Sequence, residues 1–214
     1  MKLEAFEQKN IPHLLDVVVP LWSPSIGDDE FKRFNVEYIV RNNIWDNEYC
    51  FELVEEASEK STEQNLAGKN PSSRGDESVF LAAAFFARKN DYCSVEKWFS
   101  KESKRFPDEF KIASNMSRTY LTMMDERTFS LMNDDDIKLS LFISCKPGAG
   151  SKILELTCQK LRSEGWKNLY LWTDCECNWE WYINHGYTLV KEDVYEPFCE
   201  TNEPYRTFIF KRKL

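Results

Sequence analysis

Residues 148–187 read GAGSKILELTCQKLRSEGWKNLYLWTDCECNWEWYINHGY, and how this stretch divides decides the fold. Gly148 and Gly150 stand directly ahead of a segment, Ser151 to Glu164, whose Ile153, Leu154 and Leu161 recur at helical spacing. An apolar run from Asn168 to Thr173 suits a strand, Asn178 to Asn184 a short aromatic helix, and Tyr187 to Val194 a further strand. Upstream, Ile137 to Ser144 is another apolar strand. Strand, glycine turn, helix and strand in this order make a β-α-β unit whose turn faces a ligand. Glycines let backbone approach a ligand closely, and free N–H groups at a helix start hold phosphate oxygens. Lys146 and Lys152 would add positive charge there. The same residues also fit a tight turn that binds nothing. The run CKPGAGSKIL, residues 145–154, is too short for the six-residue dinucleotide fingerprint and lacks the Gly-Lys-Ser/Thr ending of a nucleotide P-loop.

Working outward, Met1 to Gln8 reads as a first strand. Ile11 to Trp22 reads as a short helix, with Pro12 at its start and Pro20 where a helix interior would not tolerate it. Asp28 to Asn43 spaces Phe31, Phe34, Tyr38 and Ile39 as a second helix with acids in its first turn. Trp45 to Glu56 and Ser78 to Arg88 suit two strands, and the polar stretch Ser58 to Asp76 between them a mobile hairpin loop. Ser94 caps a helix through Phe106, and Pro107 opens another along the stripe Phe110, Ala113, Ser117, Leu121 and Met124. These two helices are expected as an insertion at 93–132, between an N-terminal part, 1–92, and a core at 133–214. Tyr205 to Lys211 alternates and is expected to pair antiparallel to its predecessor.

A chain of 214 residues is long enough to bury one substantial core, so one domain over 1–214 is the expectation. The net charge of −8 removes the driving force for tracking a nucleic-acid backbone. No apolar run reaches membrane-spanning length, and Met1 to Asn10 has no apolar leader core, so a soluble, cytoplasmic protein is expected. The seven cysteines are odd in number and scattered, which reads as reduced thiols. Cys175 and Cys177 lack a second pair or nearby His to complete a zinc site, so no metal is expected. His13 is expected as a partly buried structural residue and His185 as a turn residue.

Taken together, residues 148–187 resemble the acetyl-CoA-binding half of the GNAT family of N-acetyltransferases. Thr173, Asn178, the pair Trp181-Tyr182 and the pair Gly186-Tyr187 fall in that family's order, and the resemblance covers 137–211. It implies an α/β fold: a mixed, mostly antiparallel central sheet flanked by helices, splayed between its fourth and fifth strands, here Ile137 to Ser144 and Asn168 to Thr173, with a helical insertion between strands 3 and 4. It implies pantetheine in that gap, against strand backbone at Ile143 and Ser144, and pyrophosphate on Gly148, Ala149, Gly150 and Ser151, with Lys146, Lys152, Thr173 and Asn178 also on the cofactor side. It further implies an acetyltransferase taking acetyl-CoA, without metal, to a primary amine of a small molecule or peptide by direct attack, as a monomer or homodimer. Tyr182 matches the tyrosine that protonates the leaving thiolate. A phenol held close to the sulfur can do this work, whereas an isolated Tyr is commonly a core residue with a satisfied hydroxyl.

Two departures accompany the resemblance. Cys145 stands where the family turn carries Gln or Arg, with Lys146 as the substitute, and residues 138–144 hold no carboxylate to serve as general base. Asp136 lies just before that strand, and Asp174, another acid or water are the remaining candidates. A non-catalytic acyl-CoA sensor or interaction protein on the same fold is the alternative reading.

Overall fold

The computed structural model describes residues 1–55, 78–201 and 203–214; the expected hairpin loop at 58–76 lies outside them. The strands are β1 (Lys2–Ala5), β2 (Cys50–Glu55), β3 (Val79–Ala87), β4 (Asp136–Ser144), β5 (Asn168–Asp174), β6 (Thr188–Val194) and β7 (Arg206–Lys213). The helices are α1 (Ile11–Trp22), α2 (Asp29–Asn42), α3 (Val95–Glu102), α4 (Asp108–Leu131), α5 (Ala149–Ser163) and α6 (Glu180–Asn184). The strands form one sheet in the order β1-β2-β3-β4-β5-β7-β6. Every neighbouring pair is antiparallel except β4 and β5.

That one parallel pair is short. It holds register only at Asp136 with Asn168, Ile137 with Leu169 and Lys138 with Tyr170. Beyond Lys138, β4 pairs with β3 alone and β5 with β7 alone, so the sheet opens into the expected splay. On β4 the opening coincides with a bulge: Phe86 faces Leu139 and Phe85 faces Leu141, leaving Ser140 as the extra residue. The bulge shifts the alternation of β4, so that Leu139 packs into the core under α5 while Leu141 and Ile143 pack against α1 and α2.

The helices cover both faces because each brings an apolar stripe. Ile153, Leu154, Cys158 and Leu161 of α5 bury against Leu81, Ile137, Leu169 and Phe208 on one face. On the other, α1 packs through Leu14, Leu15 and Val18, and Phe31, Phe34 and Tyr38 of α2 meet Phe99 and Leu121 from α3 and α4. Helix α2 begins where expected, with Asp28 accepting a hydrogen bond from the Phe31 amide at 2.8 Å.

Several boundaries differ from those read in the sequence. Helix α1, by contrast, keeps the bounds read in the sequence, Ile11–Trp22, with Pro20 inside it. Pro20 and Asp16 are both exposed, so the amide that Pro20 lacks is missing on the solvent side of the helix. The helix expected over Ser94 to Phe106 stops at Glu102 and tightens into a 3₁₀ turn over Ser103–Arg105. The first two strands are shorter than expected. Strand β7 pairs with β6 as expected and also lies against β5, which puts β6 at one edge of the sheet. His13 is exposed, its ring stacked on Phe80 at 5.7 Å, and is not partly buried. Among the described residues no helix is long and apolar enough to cross a membrane.

Candidate functional site

Six residues past the point where the strands part, the chain turns from β4 into α5 beside a cavity of about 420 Å³. Phe142, Ser144, Cys145, Lys146, Pro147, Gly148, Gly150, Ser151 and Trp181 line it. Gly148 caps α5 at φ +81° with open space where a Cβ would stand. A left-handed residue ahead of the first turn lets the chain reverse off β4 straight into the helix. Gly150 is fixed by packing: a Cβ there would lie 2.8 Å from Phe142 Cζ and 3.2 Å from Ser144 Cβ. Ser144 Oγ donates to the Lys146 carbonyl at 2.7 Å, and the Cys145 amide to Leu81 O at 2.8 Å, tying the turn to the sheet.

The amides of Gly150 and Ser151 have no partner among the described residues, whereas the Ala149 amide donates to Lys146 O at 3.2 Å. Ala149, expected to offer a free amide, is therefore already engaged and buried. Lys146 is half-exposed at the rim, 3.8 Å from Glu55. Two unpaired amides at the positive end of a 15-residue helix, with a cation beside them, suit a pyrophosphate. The residues present thus fit the carrier that the sequence implies. Lys152 turns instead to Glu155 at 3.0 Å, and Ile143 is buried against the α1 and α2 face. Thr173 is buried in register with Phe208 on β7, and Asn178 is exposed, its carbonyl accepting from the Trp181 amide. None of these four lines the cavity.

Replacing Gly150 by Val should drive Phe142 into the cavity. Overpacking of this kind costs about 1–3 kcal/mol. A chain of this length then loses about 2–4 °C of Tm per kcal/mol. Calorimetry of the variant with and without CoA checks both the Tm and an accompanying loss of ligand response.

Tyr182 sits on α6, its ring 5.4 Å from Trp181, 5.4 Å from Tyr187 and 5.8 Å from Phe210. Its side chain is half-buried, and its hydroxyl makes no hydrogen bond among the described residues. Burial, with Tyr187 and Cys177 adding to it, pushes the phenol well above its ordinary 10, so it keeps its proton throughout the neutral range. The ring of Trp181 lies 6.4 Å from that of Phe142, so α6 reaches across to β4 at the cavity. His185 stacks on Trp181 at 3.7 Å and contacts its carbonyl through Nδ1 at 2.7 Å, a turn-stabilising role.

The candidate bases are differently placed. Asp136 is the first residue of β4 and fully buried, accepting from the Asn133 amide at 2.9 Å and from Asn168 Nδ2 at 2.5 Å. It closes the paired end of β4, about 26 Å of strand from Ser144 at roughly 3.3 Å per residue. Asp174, at the open end of β5, accepts from the Tyr120 hydroxyl at 3.0 Å and from the Glu176 amide at 3.2 Å. Tyr120 is packed by Tyr195, Phe198 and Tyr205, and burial with the nearby Asp174 pushes its phenol upward. Cys175 and Cys177 are free, and among the described residues no group of three or more His, Cys, Asp or Glu could hold a metal.

The sequence reading missed three cavity residues, Phe142, Pro147 and Trp181. It also missed a buried ion pair. Lys138 on β4 is wholly buried and 2.5 Å from Asp125 on α4, which also accepts from Trp172 Nε1 at 2.7 Å. A lysine within the otherwise apolar run DIKLSLFIS was the available signal.

The strand order, the single splayed parallel pair and the glycine turn opening α5 agree with the mixed, mostly antiparallel sheet splayed between its fourth and fifth strands that the resemblance implies. Among solved structures, the chain is similar to the ribosomal-protein-S18-alanine N-acetyltransferase from Escherichia coli, at 10% identity and a TM-score of 0.45, covering 99% of this chain and 92% of that one. It is also similar to a Drosophila melanogaster polyamine N-acetyltransferase, at 12% identity and a TM-score of 0.44, covering 100% and 99%. A mosquito arylalkylamine N-acetyltransferase-like protein matches at 8% identity and a TM-score of 0.43, covering 100% and 99%. At these values the likeness is one of overall outline and says nothing of chemistry. No protein-family model matches the sequence. No curated protein matches it significantly.

Proposed function

We propose that the protein, acting as one domain, is an N-acetyltransferase that moves acetyl from acetyl-CoA to a primary amine of a small molecule or peptide. The observation that carries this reading is the cavity at the open end of β4, lined both by Phe142 and Ser144 of that strand and by Gly150 and Ser151, whose amides are unpaired. A carrier with a flat amide-bearing arm and a pyrophosphate matches that succession of surfaces. The arm would find unpaired strand backbone, and the phosphates would meet Gly150, Ser151 and Lys146. The amine attacks the thioester carbon, the tetrahedral intermediate expels the thiolate, and Tyr182 gives the thiolate its proton. With Asp136 at the closed end and both oxygens of Asp174 engaged, the proton of the attacking amine goes to solvent.

Calorimetric unfolding with acetyl-CoA tests the binding half of this reading. At a hundredfold excess over Kd, mass action adds about 2.7 kcal/mol. That corresponds to a rise of about 5–10 °C in Tm for a chain of this size. CoA release with a panel of polyamines, aminoglycosides, amino acids and peptide amines tests the chemical half. A Tm rise with no turnover on any amine makes the protein a non-catalytic acyl-CoA sensor, and no rise at saturating ligand removes the carrier altogether. Where an acceptor is found, kcat/KM should climb with pH along the acceptor amine's own pKa and shift when an amine of different pKa is used.

A further inference from the structure

We infer that Asp125, on the helix inserted between β3 and β4, is the clamp that sets how widely the sheet opens. One of its oxygens, Oδ1, accepts from two donors, Lys138 Nζ at 2.5 Å and Trp172 Nε1 at 2.7 Å. The donors stand on different lips of the opening. Lys138 belongs to β4 and faces Tyr170 in the last register pair before the strands part. Trp172 belongs to β5, two residues past that pair, where β7 is the strand's remaining neighbour. A single acceptor on α4 thus ties one strand at the vertex and the other just beyond it.

The surroundings leave the donors little choice. The Lys138 side chain is wholly buried, and its ammonium lies 5.0 Å from the Trp45 ring and 4.7 Å from that of Phe129, with Asp125 as its carboxylate partner. Trp45 in turn donates from Nε1 to Ser140 Oγ at 2.9 Å, fixing the bulge at which β4 leaves β5. Lys138, wholly buried, meets no water to replace its acceptor, while the partly buried Trp172 adds the second, directional bond. A change in the angle between the strands that carries either donor away from α4 therefore breaks a bond to Asp125 Oδ1. Three register pairs alone would leave the angle between β4 and β5 soft; the carboxylate adds a fixed point on the acceptor face.

This inference rests on the acetyl-CoA reading above for what fills the opening. Asp125 touches nothing that reacts, so its role is positioning: it holds the walls against which the pantetheine arm lies. The glycine turn that would take the nucleotide end is about 20 Å of strand away from Lys138, at roughly 3.3 Å per residue over six residues. Loss of the clamp should therefore separate two affinities that a general loss of stability would lower together.

Trp172→Phe is the discriminating variant, because it keeps a ring against Tyr120 and leaves the Lys138–Asp125 pair intact while removing the β5 donor. Titration calorimetry at a temperature where the variant is fully folded should show CoA binding weakened at least tenfold and adenosine 3′,5′-bisphosphate binding changed less than twofold. A parallel fall in both, or no fall in CoA affinity, overturns the clamp. Amide hydrogen exchange reads the clamp without any ligand: exchange should quicken several-fold in residues 139–144 and 171–174 and stay unchanged in β1 and β2, and uniform or absent change overturns it. If the unmodified protein takes no CoA, the acetyl-CoA reading falls while the exchange result still decides the clamp. Should Trp172→Phe fail to fold, exchange of the Trp172 indole N–H in the unmodified protein decides: protection equal to that of core β4 amides supports the clamp, and exchange at the rate of a surface indole overturns it.

Discussion

Tyr182→Phe should lower kcat and kcat/KM together by about 10²- to 10⁴-fold, the usual worth of a general acid, while acetyl-CoA affinity stays within about twofold. At 1.36 kcal/mol per tenfold, this is about 2.7–5.4 kcal/mol of transition-state stabilisation. Folding should be almost untouched, because the hydroxyl has no hydrogen-bond partner among the described residues to lose and the ring keeps its contacts with Trp181, Tyr187 and Phe210. The physical content lies in which reactant needs the proton. A thiolate with a basicity like that of Cys, near 8.5, leaves poorly without one, whereas an aryl thiolate leaves unaided. The variant should therefore recover most of the lost rate on an acetyl thioester carrying a nitrophenyl thiol. Equal losses on both thioesters would place the effect in positioning instead of proton transfer, and unchanged turnover would remove Tyr182 from the chemistry.

The parts of this arrangement that could be read from the sequence are those that chain-local physics dictates. A buried apolar strand, two glycines and a 3.6-residue apolar period are enough to place a helix N-terminus at 148–151. Even so, the sequence makes the turn's amides look equivalent, whereas the fold engages Ala149 with Lys146 O and leaves Gly150 and Ser151 unpaired. The helix read over Ile11 to Trp22 forms with Pro20 inside it, because the amide that Pro20 lacks falls where Asp16 and Pro20 are both exposed. The position of β7 between β5 and β6 was half legible: pairing with its predecessor follows from proximity, but docking against β5 requires the whole sheet to assemble. The clamp was the least accessible. Lys138 is conspicuous in its strand, yet its partners lie on α4 and β5, and no period or spacing links Asp125 to Trp172.

Removing that carboxylate should produce a large stability change. In Asp125→Ala the Lys138 ammonium is left wholly buried between Trp45 and Phe129, and the Trp172 indole N–H loses its acceptor as well. Breaking a buried pair from one side costs about 3–5 kcal/mol, and an uncompensated donor adds to it. Replacing both members, as in Lys138→Met with Asp125→Leu, should cost much less than the single change, because the desolvation that the pair demands disappears with it. The pH dependence separates the two. Burial already holds the Lys138 ammonium below its ordinary 10.5 with Asp125 pushing back, and without Asp125 the folded state sheds the proton at lower pH still. The unfolded chain keeps its proton up to about 10.5, so across the interval below that value the unfolded state binds more protons and the stability of Asp125→Ala rises with pH, levelling off above it. The double variant has no lysine at this position and should lack that slope. Urea unfolding of the unmodified protein and both variants at several pH values between 7 and about 10.5 measures this. A single variant as stable as the double, or a slope shared by both, would show that the energetics of α4 against the sheet do not pass through this carboxylate.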